Sequence, residues 1–97
     1  MPGAYWINCV RQVRDPERLA AYVRLAGPAV ADAGGTFLAR GTAAAAFEDG
    51  VAERTALIGF DSVEAAVACY ESPAYQEALA ALGDGAVREI RIVPAAG

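Results

Sequence analysis

Residues 4–13, Ala4-Tyr5-Trp6-Ile7-Asn8-Cys9-Val10-Arg11-Gln12-Val13, followed closely by Asp15-Pro16-Glu17, decide how this chain folds. The first stretch is rich in aromatic and β-branched side chains and predicts a strand. Asp15-Pro16-Glu17 predicts a helix start. Asp15 can cap the free amides, Pro16 suits the first helical position, and Glu17 lies near the positive end of the dipole. Leu19, Tyr22, Val23, Ala26, Val30 and Ala33 then recur at helical spacing and mark a buried stripe. Pro28, after Gly27, clashes with the carbonyl of Arg24, so a kink or a restart is expected there. Gly34-Gly35 ends the helix.

Working outward, residues 36–47 predict a second strand, although its alanine-rich second half is a weak strand former. Glu48-Asp49-Gly50 supplies turn chemistry, and residues 52–60 resume as a strand, so a short loop and an antiparallel hairpin are expected. Asp61-Ser62-Val63-Glu64 resembles a capping box with Asp61 as the cap, and the helix beyond it carries Val63, Ala66, Val67 and Tyr70 on one face. Ser72-Pro73 stops that helix and opens another over Ala74 to Leu82. Gly83-Asp84-Gly85 is a loop. Residues 86–93 alternate, with Ile90 and Ile92 opposite Glu89, Arg91 and Val93, which suits an outer strand.

The order is strand, helix, strand, strand, helix, strand. With right-handed crossovers this is an α+β fold, ferredoxin-like βαββαβ, with a four-stranded antiparallel sheet and the helices on one face. A chain of 97 residues has room for one such domain over residues 1–97. The face without helices should then be polar. Instead the first strand sets Tyr5, Ile7 and Cys9 against Trp6, Asn8 and Val10, and the third sets Leu57 against Ala56, Ile58 and Phe60. Both faces are largely apolar, and overall apolar content reaches 56%. A second copy laid sheet on sheet covers the surplus, so a homodimer through the open sheet face is expected.

Composition removes several chemistries. The net charge is −4 with no basic stripe, so nucleic acid is not an expected partner. All eight cations are arginine, so no lysine Schiff base can form. There is no histidine, which removes the commonest general base and the commonest transition-metal ligand. Cys9 and Cys69 lack C-x-x-C spacing, and no metal site is expected. No cofactor is expected either: haem would have to be ligated by tyrosine or cysteine. Pro2-Gly3 leads straight into the first strand with no leader-like segment, and no apolar run approaches a membrane span. The expected compartment is the cytoplasm, with both thiols reduced.

Several stretches taken together resemble a known family. They are Tyr5-Trp6-Ile7, Asp15-Pro16, Gly34-Gly35-Thr36-Phe37-Leu38-Ala39-Arg40-Gly41, Phe60-x-Ser62 and Tyr70-Glu71-Ser72-Pro73-Ala74-Tyr75. The resemblance is to the domain of unknown function numbered 1330, and it runs from the first strand to the last. It implies membership of the dimeric α/β-barrel superfamily, in which two ferredoxin-like units close their sheets around a central barrel. That superfamily includes cofactor-free oxygenases, isomerase-like enzymes, haem-handling proteins and proteins with no known reaction. Two positions depart from the family pattern: Gly59 stands where Glu is frequent, and Gly83 where Arg is frequent.

Six residues are candidates for ligand contact. Arg40 lies in an otherwise apolar or glycine run. It reads as a strand-end arginine reaching solvent or pairing with Glu48, or as an anchor for an acidic or carbonyl ligand. Asn8 is the lone polar residue in the apolar part of the first strand, and a buried amide needs partners. Arg54 and Glu48 flank the hairpin as a solvated pair or as ligand contacts. Ser72 reads as a helix cap, and Tyr75 either packs or offers its hydroxyl at a cleft mouth. The functional expectation is a small acidic or carbonyl-bearing molecule bound in a pocket between sheet and helices, with Arg40, Asn8 and Tyr75 as its polar contacts. Two alternatives stand beside it, a non-catalytic interaction homodimer and a cofactor-independent oxygenase- or isomerase-like enzyme.

Overall fold

Asp15 begins the first helix as its chemistry requires, its carboxylate accepting from the Glu17 and Arg18 amides at 3.0 and 3.2 Å. In the computed structural model, which describes residues 1–97, the chain runs β1 (Ala4–Val13), α1 (Pro16–Asp32), β2 (Thr36–Thr42), β3 (Arg54–Phe60), α2 (Val63–Glu71), α3 (Pro73–Leu82) and β4 (Ala86–Pro94). The strands form one antiparallel sheet in the order β2-β3-β1-β4. This is the ferredoxin-like arrangement, with the second helix of the pattern split into α2 and α3. No helix is long and apolar enough to cross a membrane.

Four local expectations change. First, of the kink or restart expected at Pro28, the restart does not occur, and α1 runs through the proline as one helix. Tyr22 and Ala26 before the proline and Ala29 and Val30 after it are buried in the core, and that packing outweighs one missing backbone bond. Second, β2 stops at Thr42 and β3 begins at Arg54, so residues 43–53 form a longer loop in place of a short turn. The alanine run has neither β-branched bulk nor a facing strand to hold it extended. Third, Ser62 rather than Asp61 caps α2, its hydroxyl accepting from the Ala65 amide at 3.0 Å. Ser62 is the last residue with extended backbone, and only that position aims a side-chain oxygen at the free amides. Fourth, α2 is rotated, burying Ala66 and Cys69 and leaving Val67 and Tyr70 partly exposed.

Register sorts the side chains. Trp6 faces Ile58 on one side and Ile92 on the other, and Asn8 lies between Ala56 and Ile90. These residues point towards the helices, where Trp6, Tyr22, Val30, Ile58, Phe60, Cys69, Tyr75 and Leu82 belong to one buried cluster. Tyr5, Ile7 and Cys9 point the other way, opposite Gly59, Leu57 and Thr55. No helix covers that face. Cys9 is therefore separated by the sheet from Cys69 in the core, and both thiols are free.

At Gly59 and Gly83 the surroundings leave little freedom for a side chain. A Cβ on Gly59 would lie 2.8 Å from the Pro2 ring and 3.2 Å from the Leu38 side chain. Gly83 has φ 53, and a Cβ there would come within 2.5 Å of the Arg18 guanidinium.

Ser62→Ala should lower the unfolding free energy by about 1 kcal/mol in urea titration, whereas Asp61→Ala should leave it unchanged. Equal losses from the two would return the cap to Asp61.

Candidate functional site

Sheet register brings three of the six candidate residues together. Ala56 pairs with Asn8 across β1 and with Arg40 across β2, so Asn8, Ala56 and Arg40 stand in one row on the helix side. Arg54, two residues before Ala56, shares that face. The three polar side chains line a cleft of about 30 Å³ beneath α1, with Trp6, Tyr22, Val23, Gly27, Phe37 and Ile58 among its apolar and glycine walls. The Asn8 amide oxygen is buried with no hydrogen-bond partner. The Arg40 guanidinium lies 4.4 Å above the Phe37 ring, a cation–π contact that leaves its N–H edge free. The ion pairs of the chain, Arg18–Asp15 at 3.8 Å and Arg91–Glu89 at 2.7 Å, involve neither arginine of the cleft.

The other three candidates do not join them. Glu48 sits at the exposed turn of the 43–53 loop with φ 55 and pairs with neither Arg40 nor Arg54. It was expected beside the hairpin, and the lengthened loop removes it from any cross-strand position. Ser72 is absorbed as the cap of α3, accepting from the Tyr75 amide at 3.3 Å and donating to the Cys69 carbonyl at 2.7 Å. Tyr75 is fully buried and lies at no cleft mouth. Its hydroxyl is 2.5 Å from that of Tyr22, and Tyr22 takes the place in the cleft wall expected of Tyr75. Helical spacing put Tyr22 in the buried stripe correctly. The partner of its hydroxyl depended on α3 crossing α1, which no local pattern reports.

Arg88 is the residue that sequence reasoning missed. It has the same parity as Ile90 and Ile92 on β4, and that alternation was a readable sign that it points inward. Its guanidinium sits 4.5 Å over the Tyr22 ring, and its Nη1 is buried without a partner. The Trp6 indole nitrogen is likewise buried and unpaired. Three orphaned polar atoms on one sheet face are unusual, because each forgoes a hydrogen bond that water would supply.

Burial raises the Tyr75 pKa well above the ordinary tyrosine value, and the neighbouring Tyr22 hydroxyl raises it further, while Arg88 pulls the other way. Burial tends to lower the Arg88 pKa, but Tyr22 and Tyr75 outweigh it and the net shift is upward, so Arg88 remains a cation. Burial also raises the Cys69 thiol.

Because folded Tyr75 holds its proton above the pH at which the unfolded residue releases it, the stability tied to that proton is complete below about pH 10 and is lost as pH rises further. Tyr75→Phe should flatten the alkaline fall in stability, read as midpoint denaturant concentration from pH 8 to 11. An unaltered slope would show that Tyr75 does not set it.

A family profile described as domain of unknown function (DUF1330) matches residues 3–96. A protein of unknown function from Rhodopseudomonas palustris, RPA0582, has a similar structure at 23% identity and TM-score 0.71, covering 97% of this chain and 82% of that one. A proposed antibiotic biosynthesis monooxygenase from Caulobacter crescentus CB15 is similar at 20% identity and TM-score 0.64, over 99% of this chain and 92% of that one. SnoaB, a cofactor-independent oxygenase from Streptomyces nogalater, is similar at 15% identity and TM-score 0.62, over 100% and 96%. At these identities the likeness is one of fold. No curated protein matches the chain.

Proposed function

The chain belongs to the family of the domain of unknown function (DUF1330), and from that premise we propose that it binds a small acidic or carbonyl-bearing molecule in the cleft beneath α1. The observation that carries this reading is the row formed by Asn8 and Arg40, with Arg54 on the same face: a buried amide without a partner beside two arginines without carboxylates. A planar guanidinium with a free edge matches a carboxylate, and a side-chain amide can turn over to serve a hydroxyl or a carbonyl. The enclosed volume is about 30 Å³, room for about two water molecules. Only the head group of a ligand therefore enters, and the remainder lies at the mouth between Gly27 and Phe37. A Cβ at Gly27 would meet nothing within 4 Å, so the helix side of the mouth is open.

The uncovered sheet face supports a second reading, which is compatible with the first. Tyr5, Ile7 and Leu57 stand on it half-buried, with Leu38 and Val93 48% and 42% exposed at its margins. Fully burying such a side chain contributes about 1.5–3 kcal/mol, so a few per subunit would hold two copies together. We infer a homodimer with sheet packed on sheet, the dimeric α/β barrel implied by the family resemblance.

Calorimetric titration with a panel of small 2-oxo and 2-hydroxy acids should find saturable binding. The double variant Arg40→Ala/Arg54→Ala should weaken it by about tenfold or more, since each charge-assisted contact contributes about 1.5–3 kcal/mol. Gly27→Leu should obstruct the mouth and weaken binding while leaving the fold at least as stable, because glycine in mid-helix is unfavourable. Unchanged affinity in both variants would remove the cleft as the site. For the dimer, sedimentation equilibrium should give twice the 10.0 kDa chain mass, and Leu57→Asp should shift the population to monomer. A wild-type chain that sediments as a monomer would refute the interface.

A further inference from the structure

A second recess lies on the same side of the sheet, between α2 and β4. Its walls are Val67, Tyr70, Ile90 and Ile92, with Glu71 at its rim and Arg88 among the isoleucines, and it offers about 420 Å³ of space. It is separate from the cleft under α1. Trp6 and Tyr22 line that cleft, and their far sides meet the residues of the groove: the Trp6 and Tyr70 rings are 5.8 Å apart, and Arg88 stacks on Tyr22. The aromatic cluster is thus a partition between the two spaces.

We propose that this groove is a binding site for an apolar molecule carrying one carboxylate, such as a short aliphatic acid. Three features of the groove select that chemistry. Three of its six lining residues are aliphatic, and Val67 and Tyr70 remain 39% and 37% exposed on α2 where a surface helix would ordinarily turn polar side chains outward. Arg88 is the one cation of the lining, its guanidinium lies against the Tyr22 and Tyr75 hydroxyls, and no carboxylate of the chain pairs with it. The stack on Tyr22 holds the guanidinium plane in place, so the fork is oriented before a ligand arrives and little entropy is lost when it engages. A carboxylate pairs with the side of the Arg88 guanidinium that lines the groove, while its alkyl chain covers Val67, Ile90 and Ile92. Glu71 at the rim opposes anions entering from its side, which favours a ligand with a single charged end over a diacid.

Trp6 is the only tryptophan, and its ring abuts Tyr70, so its fluorescence reports on occupancy of the groove. Hexanoate, titrated into the wild-type protein, should change that emission saturably, and hexanol of the same length should bind at least tenfold more weakly. Arg88→Gln should reduce hexanoate affinity by about tenfold or more, as loss of a charge-assisted contact requires. Arg40→Ala/Arg54→Ala should leave it within about twofold of wild type, because those residues belong to the other cleft. If Arg88→Gln does not fold, Val67→Glu places a like charge on an exposed wall position without touching the core, and it should weaken hexanoate by a similar factor. Equal binding of hexanol, loss of binding in the Arg40/Arg54 variant, an unchanged affinity in Val67→Glu, or no saturation by about 10 mM would overturn the proposal. The proposed ligand of the α1 cleft is tested by other residues and other acids, so either site can fail without the other.

Discussion

Trp6 holds the structure together. Its ring stacks on Phe60 of β3 at 5.9 Å, meets Tyr75 of α3 edge-on at 5.0 Å, and touches Tyr70 of α2 at 5.8 Å. Tyr75 in turn meets Tyr22 of α1 at 6.0 Å, ring edge to ring face. One indole on an inner strand thereby ties three helices to the sheet, with each aromatic pair contributing about 0.5–1.5 kcal/mol beyond its buried area. A small domain has few large side chains to spend on a core, and this one concentrates them at one point. The spaces on either side of that point are consequences of the same packing: rigid rings fill the centre and leave recesses beneath α1 and beside α2.

The inner layer is also where polar groups are left unpaired. The Trp6 nitrogen, the Asn8 oxygen and one Arg88 nitrogen all lie on the helix side of the sheet without partners. A buried polar group left without any partner costs about 1–3 kcal/mol, so such positions are seldom neutral in a small domain. Residues that serve packing alone would be apolar at these positions. The helix caps account for none of these atoms. The binding sites proposed for the two recesses give Asn8 and Arg88 a role, whereas Ser72 makes two backbone hydrogen bonds as the cap of α3.

Legibility varied with the range of the interaction involved. β1, the start of α1, the Ser72 cap and the parity of β4 were readable because each depends on residues within a turn or two of one another. The end of β2 was not, since Ala43 to Phe47 lack strong preferences and follow whatever the neighbouring chain allows. Asn8, Arg40 and Arg54 could be nominated as polar residues out of place in apolar strands. That they share a row could be known only once Ala56 was seen paired on both sides. Glu48 lies apart from the cleft because it belongs to a segment whose conformation local pattern does not define.

From the sequence alone came the element order, the antiparallel ferredoxin-like sheet, and the exclusion of histidine and lysine chemistry. Periodicity and side-chain inventory are properties of the chain before it folds. Tertiary structure decided that Tyr22 rather than Tyr75 faces the cleft, that Arg88 stacks on Tyr22, and that Glu48 stays apart. Those outcomes rest on how α1 crosses α3 and on which strands lie side by side. Such contacts join residues far apart in the chain, and their geometry is set by packing of the whole core around Trp6, so no local window of sequence contains it.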